Sequence, residues 1–297
     1  MTSCSNSETI RRCRPLLGTF VEVTVSGLQE AKLVGAVDAA FSAIATVQRL
    51  MSFHDPASEI SELNRLAARR AVPVNPWTYE VLRAARTLAI ESAGAFDITV
   101  APLLQQWGYL PPAGRSALSP TDGGGPLDIE LRPGERVRFR RPVRIDLGGI
   151  AKGFAVDQAV AVLQARGAAS GCVNAGGDLR AFGPAPTAVH VRHPAAPGHF
   201  LPLTAITNAA LATSACYFTR KRWQGGWVSP LVDPRRRHPC AELTSISVRA
   251  PTCLLADALT KVAMADRRAA LELLAEYRAE ALLVTDRGEI RSLRDER

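Results

Sequence analysis

The chain has no CxxC pair and no cysteine–histidine cluster of zinc-finger spacing, although it holds six cysteines among 297 residues. Structural zinc and thioredoxin-type redox chemistry are therefore not signalled. Cys172 and Cys253 stand in apolar surroundings and read as small core residues. With 47% hydrophobic residues, the chain can build its core without a disulfide framework. Residues 1–14 are polar and basic and lack the apolar stretch of a signal peptide. No later run reads as long enough to span a membrane. These absences predict a cytoplasmic protein, with a flexible segment over 1–14 and one folded domain over 15–297. No internal repeat and no clear linker divides the chain.

Negative charge is also in short supply. Asp and Glu number 28 against 36 Lys and Arg, a net charge of +8. Such a balance suits nucleic acid, a membrane surface or acidic small molecules. The densest basic runs are Arg138-Phe139-Arg140-Arg141 and Arg235-Arg236-Arg237-His238. No nucleic-acid module surrounds either, so a solvated or phosphate-facing loop is the better reading. A dinucleotide with two phosphates fits a basic protein equally well.

What is present is a mixture of strand and helix signals. Phe20 to Val25 alternates as a strand, and Ala31 to Met51 has the spacing of a long amphipathic helix. Pro76 to Ser92 is a second helix, with proline at its start and Gly94 past its end. Pro111 to Pro126 reads as a mobile loop, and 127–131 and 136–140 as a hairpin turning at Pro133-Gly134. Short strands follow around Cys172, over 188–191, 201–207, 245–249 and 281–285, with helices over 153–166, 256–265 and 271–277. Without regular βαβ repetition, the pattern predicts an α+β domain.

The most informative stretch is Asp146-Leu147-Gly148-Gly149-Ile150-Ala151-Lys152-Gly153-Phe154-Ala155-Val156-Asp157. Val143 to Leu147 alternates as a strand, and a helix follows the glycines. Gly148, Gly149 and Gly153 would let backbone approach a ligand closely. The helix start would aim free N–H groups at the same place, a plausible phosphate site. Neither GxxxxGK[ST] nor GxGxxG is present. Close strand–helix packing is the plain alternative. Lys152 in the first helical turn is either solvated or paired with an anion, because the helix dipole disfavours a cation there.

Further motifs stand in a fixed order: Leu17-Gly18-Thr19-Phe20, Met51-Ser52, Ser58-Glu59-Ile60-Ser61, Gly94-Ala95-Phe96-Asp97, Asn174-Ala175-Gly176-Gly177-Asp178, Ala212-Thr213-Ser214, Asp233-Pro234-Arg235 and Ala256-Asp257-Ala258-Leu259. Together with the central stretch they resemble the ApbE family, the FAD:protein FMN transferases, from Leu17 to Ala263. The resemblance implies one α+β unit with a flavin site between two lobes. It implies that FAD donates FMN to a threonine of another protein, and that AMP leaves. Acceptors of the family are flavin-carrying subunits of membrane redox complexes and soluble reductases, marked by an Asp-Gly-x-Thr-x-Ala-Thr-like segment. No nucleic acid and no membrane insertion are implied.

Residue by residue, the resemblance puts Ala95, Phe96 and Asp97 at the flavin and its ribityl chain, and Leu17, His54 and Leu231 near them. It puts Asp146, Gly148, Lys152, Gly176, Gly177 and Asp178 around FAD. Read alone, Phe96 is core and Gly176-Gly177 a tight turn. Thr213 and Ser214 could bind a phosphate or end a strand. Mg²⁺ would take the carbonyl of Gly149, the carboxylate of Asp257 and a threonine four residues later, where this chain has Lys261. An ammonium has no lone pair for a metal. Thr260 could substitute in part, or Lys261 could pair with Asp257 and put its own charge in the metal's place. An ordinary helix-surface salt bridge is the third option. Catalytic roles would fall on Lys152, Asp257 and Lys261. Pro230 stands where the family commonly has a histidine, and His54 where it has a tyrosine. Three activities are consistent with this set: flavin transfer, flavin binding without transfer, and hydrolysis of FAD to FMN and AMP.

Overall fold

An antiparallel sheet of eight strands carries the structure, a computed structural model that describes residues 9–112, 124–196, 198–240, 242 and 244–295. Its strands lie in the order Thr9–Leu16, Thr19–Ser26, Ser170–Ala175, Asp178–Phe182, Ala210–Ala215, Ser245–Ala250, Glu280–Val284 and Ile290–Ser292. Three helices cover one face: α1 (Glu30–Met51), α5 (Ala151–Ala165) and α6 (Cys253–Ala265). Val21, Val23 and Val25 alternate inward from their strand to meet Phe41 and Ile44 of α1 and Phe154 of α5 in the main core. The hairpin 187–206 covers part of the other face, with Val189 and Ile206 against Leu179 and Leu211. α7 (Arg267–Glu276) follows α6, started by Asp266, whose Oδ1 accepts from Arg268 N and Ala269 N.

The intervening chain forms the second lobe. It holds α2 (Glu59–Leu66), α3 (Pro76–Glu91), α4 (Ala101–Gln106) and a three-stranded sheet of Val72–Pro73, Arg136–Phe139 and Ile129–Arg132. α3 starts where its sequence says it should. Asn75 Oδ1 accepts from Trp77 N at 3.0 Å ahead of Pro76, and Gly94 ends the run at φ +82°. Of the loop read over Pro111 to Pro126, residues 113–123 lie outside the described residues.

Three expectations need correction. Residues 9–14, assigned to a flexible segment, belong to the first strand, paired with Thr19–Ser26. Six of the eight residues of that strand are exposed, so no apolar alternation marks it in the sequence. Arg11–Glu22 and Arg14–Asp38 ion pairs line its surface instead. Secondly, α1 is long and apolar enough to cross a membrane by length and composition. Its inner side, including Leu33, Val37, Phe41 and Val47, is buried in the main core.

Thirdly, Val143–Leu147 is extended but joins no strand. Its partner is a side chain: Asn64 of α2 accepts from Ile145 N at 2.8 Å and donates to Ile145 O at 3.0 Å. Asp146 N then donates to Ile98 O at 2.8 Å. A carboxamide offers one donor and one acceptor in a plane, so it satisfies the backbone as a neighbouring strand would. This clamp fixes the approach to the glycine turn from the second lobe.

Candidate active site

The two lobes meet around a cavity of about 350 Å³. Its floor is the Gly148-Gly149 turn, Lys152 of α5, Thr213 and Ser214 of the central sheet, and Lys261 of α6. Ala95, Phe96 and Asp97 form one wall, and Leu231 stands among the residues of another. Eleven of the expected site residues thus line one space, Ala95, Phe96, Asp97, Asp146, Gly148, Gly149, Lys152, Thr213, Ser214, Leu231 and Lys261, together with Pro230.

The glycine turn is shaped by its neighbours. Asp146 Oδ2 accepts from Gly148 N at 3.2 Å, and a Cβ on Gly148 would fall 2.9 Å from that oxygen. Gly149 has room, with its nearest neighbours, in Lys261 and Phe96, 3.6–3.7 Å from where a Cβ would stand. Gly153 has none: a Cβ there would lie 2.2 Å from the carbonyl oxygen of Cys253. That glycine lets α5 and α6 touch at their N-terminal ends. Asp157, one turn later, accepts from Cys253 N and Leu254 N at 2.9 and 2.8 Å and from Arg180 at 2.7 Å. The second half of the central motif therefore anchors α6, while its first half faces the cavity.

Beneath the floor lie two buried carboxylates. Lys152 donates to Asp178, and Lys261 donates to Asp257 one turn earlier on α6. The anion that Lys152 calls for at its helix start is thus a side chain of the protein. Gly153 N donates to the other oxygen of Asp257 at 3.1 Å. Burial alone would lower the Lys152 ammonium, but Asp178 and Asp257 outweigh it and hold it above the ordinary lysine value. Burial also opposes ionisation of Asp257, yet Lys152, Lys261 and the Gly153 N–H together hold its carboxyl below the usual value. Asp146 and Asp97 shift the other way. Burial pushes both up, against the Gly148 N–H and His54 for Asp146, and against Thr99 and Arg237 for Asp97.

These residues do not fit Mg²⁺. Both oxygens of Asp257 are engaged. Thr260 Oγ1 donates to Asp257 O at 2.6 Å and lies 2.7 Å from Ser214 Oγ, so it serves its own helix and the sheet. Among the described residues no three Asp, Glu, His or Cys side chains gather as a metal group.

Several expected residues stand away from the cavity lining. Leu17 is at the tip of the first hairpin at φ +55°, its N–H on Gln48 Oε1. Gly176, at φ +65°, lies against Thr19 at the same end of the sheet, and Gly177 N donates to Asn174 Oδ1. Asp178, Asp257 and Thr260 lie under the floor. His54 is exposed and lines a separate hollow with Asn64 and Arg144. The Arg235–His238 run is a largely exposed loop with ties to the protein: Arg235, Arg236 and His238 are exposed, Arg235 pairs with Asp266 at 2.8 Å, Arg236 lies 3.7 Å from Asp233, and the half-buried Arg237 acts on Asp97.

Sequence reading missed Tyr109 and Thr219, which also line the cavity. The Tyr109 hydroxyl is shared between the carbonyls of Thr219 and Val228, at 2.8 and 2.9 Å. The Lys221 ammonium stands 4.4 Å over its ring. Partners more than a hundred residues away leave no local sequence signal.

Residues 17–283 match the ApbE family. The chain belongs to the ApbE family. An FAD:protein FMN transferase of Rhodobacter capsulatus is 31% identical over 289 residues, covering 93% of this chain and 55% of that protein. This chain thus spans about half the length of that relative. One from Klebsiella pneumoniae is 25% identical, covering 81% of this chain and 74% of its own. Among solved structures, the ApbE protein of Thermotoga maritima superposes with a TM-score of 0.83 at 26% identity, covering 96% of this chain and 97% of that one. The ApbE fold, with its α+β architecture, therefore extends over nearly the whole chain.

Proposed function

We propose that the cavity binds FAD and that the chain transfers its FMN half to a threonine hydroxyl of an acceptor protein, releasing AMP. One observation carries this reading. An apolar wall with Phe96 and a cationic floor of Lys152 and Lys261 face the same space beside a glycine turn. The wall suits a flavin ring, and the floor suits a diphosphate. The naming of ApbE relatives as FAD:protein FMN transferases supports it.

In the reaction, the threonine oxygen forms a bond to the phosphorus on the FMN side. The bond from that phosphorus to the bridging oxygen breaks, and AMP departs with the bridging oxygen. The hydroxyl proton is released. Charge spreads over the phosphoryl oxygens in the transition state, and positioned cations stabilise it there. Lys152 and Lys261 are the cations in place. Because Asp178 and Asp257 hold them, they need little reorganisation as charge develops.

The test is a mass-spectrometric transfer assay with FAD and a domain carrying an Asp-Gly-x-Thr-x-Ala-Thr-like segment. An acceptor mass gain equal to FMN, with AMP released, is expected. AMP release without a gain would make the chain a hydrolase. FAD binding with neither product would make it a flavin-binding protein.

A further inference from the structure

We infer that this chain grips the FAD diphosphate with the Lys152 and Lys261 ammonium groups, and binds FAD without a divalent cation. The inference rests on the flavin reading above.

The two lysines are built alike, although they come from different helices. Each has its carboxylate below it and the cavity above it. The Asp178 and Asp257 side chains are 2% and 0% exposed, whereas those of Lys152 and Lys261 are 33% and 19% exposed. The acids are therefore enclosed, whereas the two lysine side chains are partly exposed and line the cavity. An ammonium carries three N–H donors. One from each lysine goes to its aspartate, which leaves donors for phosphate oxygens.

Position supports the same role. The stem of Lys261 passes beside Gly149, within 3.6–3.7 Å of where a side chain would begin. Lys152 stands in the first turn of α5, just past the glycines. Both lysine side chains thus flank the stretch of floor formed by the two glycines. A diphosphate laid on that stretch has an ammonium group from each helix beside it.

A metal has no equivalent place. Its hard-oxygen ligands would be the Gly149 carbonyl, Asp257 and a hydroxyl one turn later, and the two side-chain ligands are the ones taken up. Each oxygen of Asp257 already accepts a hydrogen bond, from Lys261 and from Gly153, and Thr260 faces Ser214. Lys261 thus takes the carboxylate oxygen that a cation would need and adds a fixed charge of its own.

The experiment measures FAD affinity by quenching of flavin fluorescence, using the full chain freed of metal by EDTA and then with Mg²⁺ restored. The wild-type affinity should be the same in both buffers. Lys261→Thr should bind FAD about 10- to 100-fold more weakly in EDTA, the loss of one charge-assisted hydrogen bond. Mg²⁺ should recover much of that loss, because the substitution frees Asp257 Oδ1 and adds a hydroxyl. A wild-type protein that binds FAD only with Mg²⁺ overturns the inference and leaves the flavin reading standing. No FAD binding in either buffer overturns both. Lys261→Thr binding as wild type in EDTA overturns the role of Lys261. If that variant does not fold, the wild-type comparison decides alone.

Discussion

Lys261 and Asp257 form an ion pair in which only the lysine can reach water. The aspartate is fully enclosed, and its second oxygen is held by the N–H of Gly153. Removing either partner should therefore have unequal effects. Lys261→Met strands a buried carboxylate and should destabilise the fold by about 3 kcal/mol. Asp257→Asn keeps an acceptor for Gly153 and lets Lys261 turn to the cavity, so about 1 kcal/mol is expected. Urea unfolding of both variants checks this. The reverse order would mean that Asp257 is not enclosed as described.

Glycines of the central motif should separate fold from site. In Gly153→Ala the new methyl meets the backbone of Cys253 and Leu254 at 2.2–2.8 Å. Neither atom can swing aside, and a loss of about 3 kcal/mol is expected. In Gly149→Ala the methyl meets only ordinary contacts at 3.6–3.7 Å. Stability should hold while FAD affinity falls, because the methyl enters the diphosphate floor. Equal effects of the two changes on unfolding would contradict this division.

Asp97 gives a pH signature of defined sign. Burial raises its folded pKa above 3.8, so the folded state holds the proton more tightly than the unfolded state does. At neutral pH the buried charge weakens the fold. That penalty shrinks as pH falls through the raised value and is gone below 3.8, where both states are protonated. Asp97→Asn carries no such charge. It should match or exceed wild-type stability at neutral pH, with the gap closing as pH is lowered. Thermal unfolding of the pair across that range measures it, and a gap that widens on acidification would refute the assignment.

The parts of this molecule legible in sequence were those with local causes. Pro76 and Gly94 bracket α3 within a few residues of chain, and the Phe20–Val25 alternation marks its strand directly. The cavity floor was legible because Gly148, Gly149 and Lys152 are contiguous, and Lys261 because it departs from a recognised pattern. The strand Thr9–Leu16 was hidden because an exposed edge needs no apolar alternation. Asn64 standing in for a strand partner of Ile145 was hidden because the two are 81 residues apart. The β-like alternation of Val143–Leu147 matches its alternating burial, but alternation cannot say what pairs with the segment, and it forms no strand.

The last twelve-residue puzzle of the central motif is its closing aspartate, which never reaches the cavity. Asp157 instead receives the first two N–H groups of α6 together with the guanidinium of Arg180. A carboxylate there satisfies donors that the helix itself cannot and lies at the positive end of its dipole. Asp157→Ala should lower stability by about 2–4 kcal/mol, since two helix N–H groups and a partly buried Arg180 lose their acceptor together. The FAD affinity of the folded fraction should stay at the wild-type value, because Lys261 is supported by Asp257 within α6 itself. Urea unfolding combined with flavin titration separates the two effects. Loss of FAD affinity without loss of stability would place Asp157 in the binding machinery and reverse the division of the motif drawn from the structure.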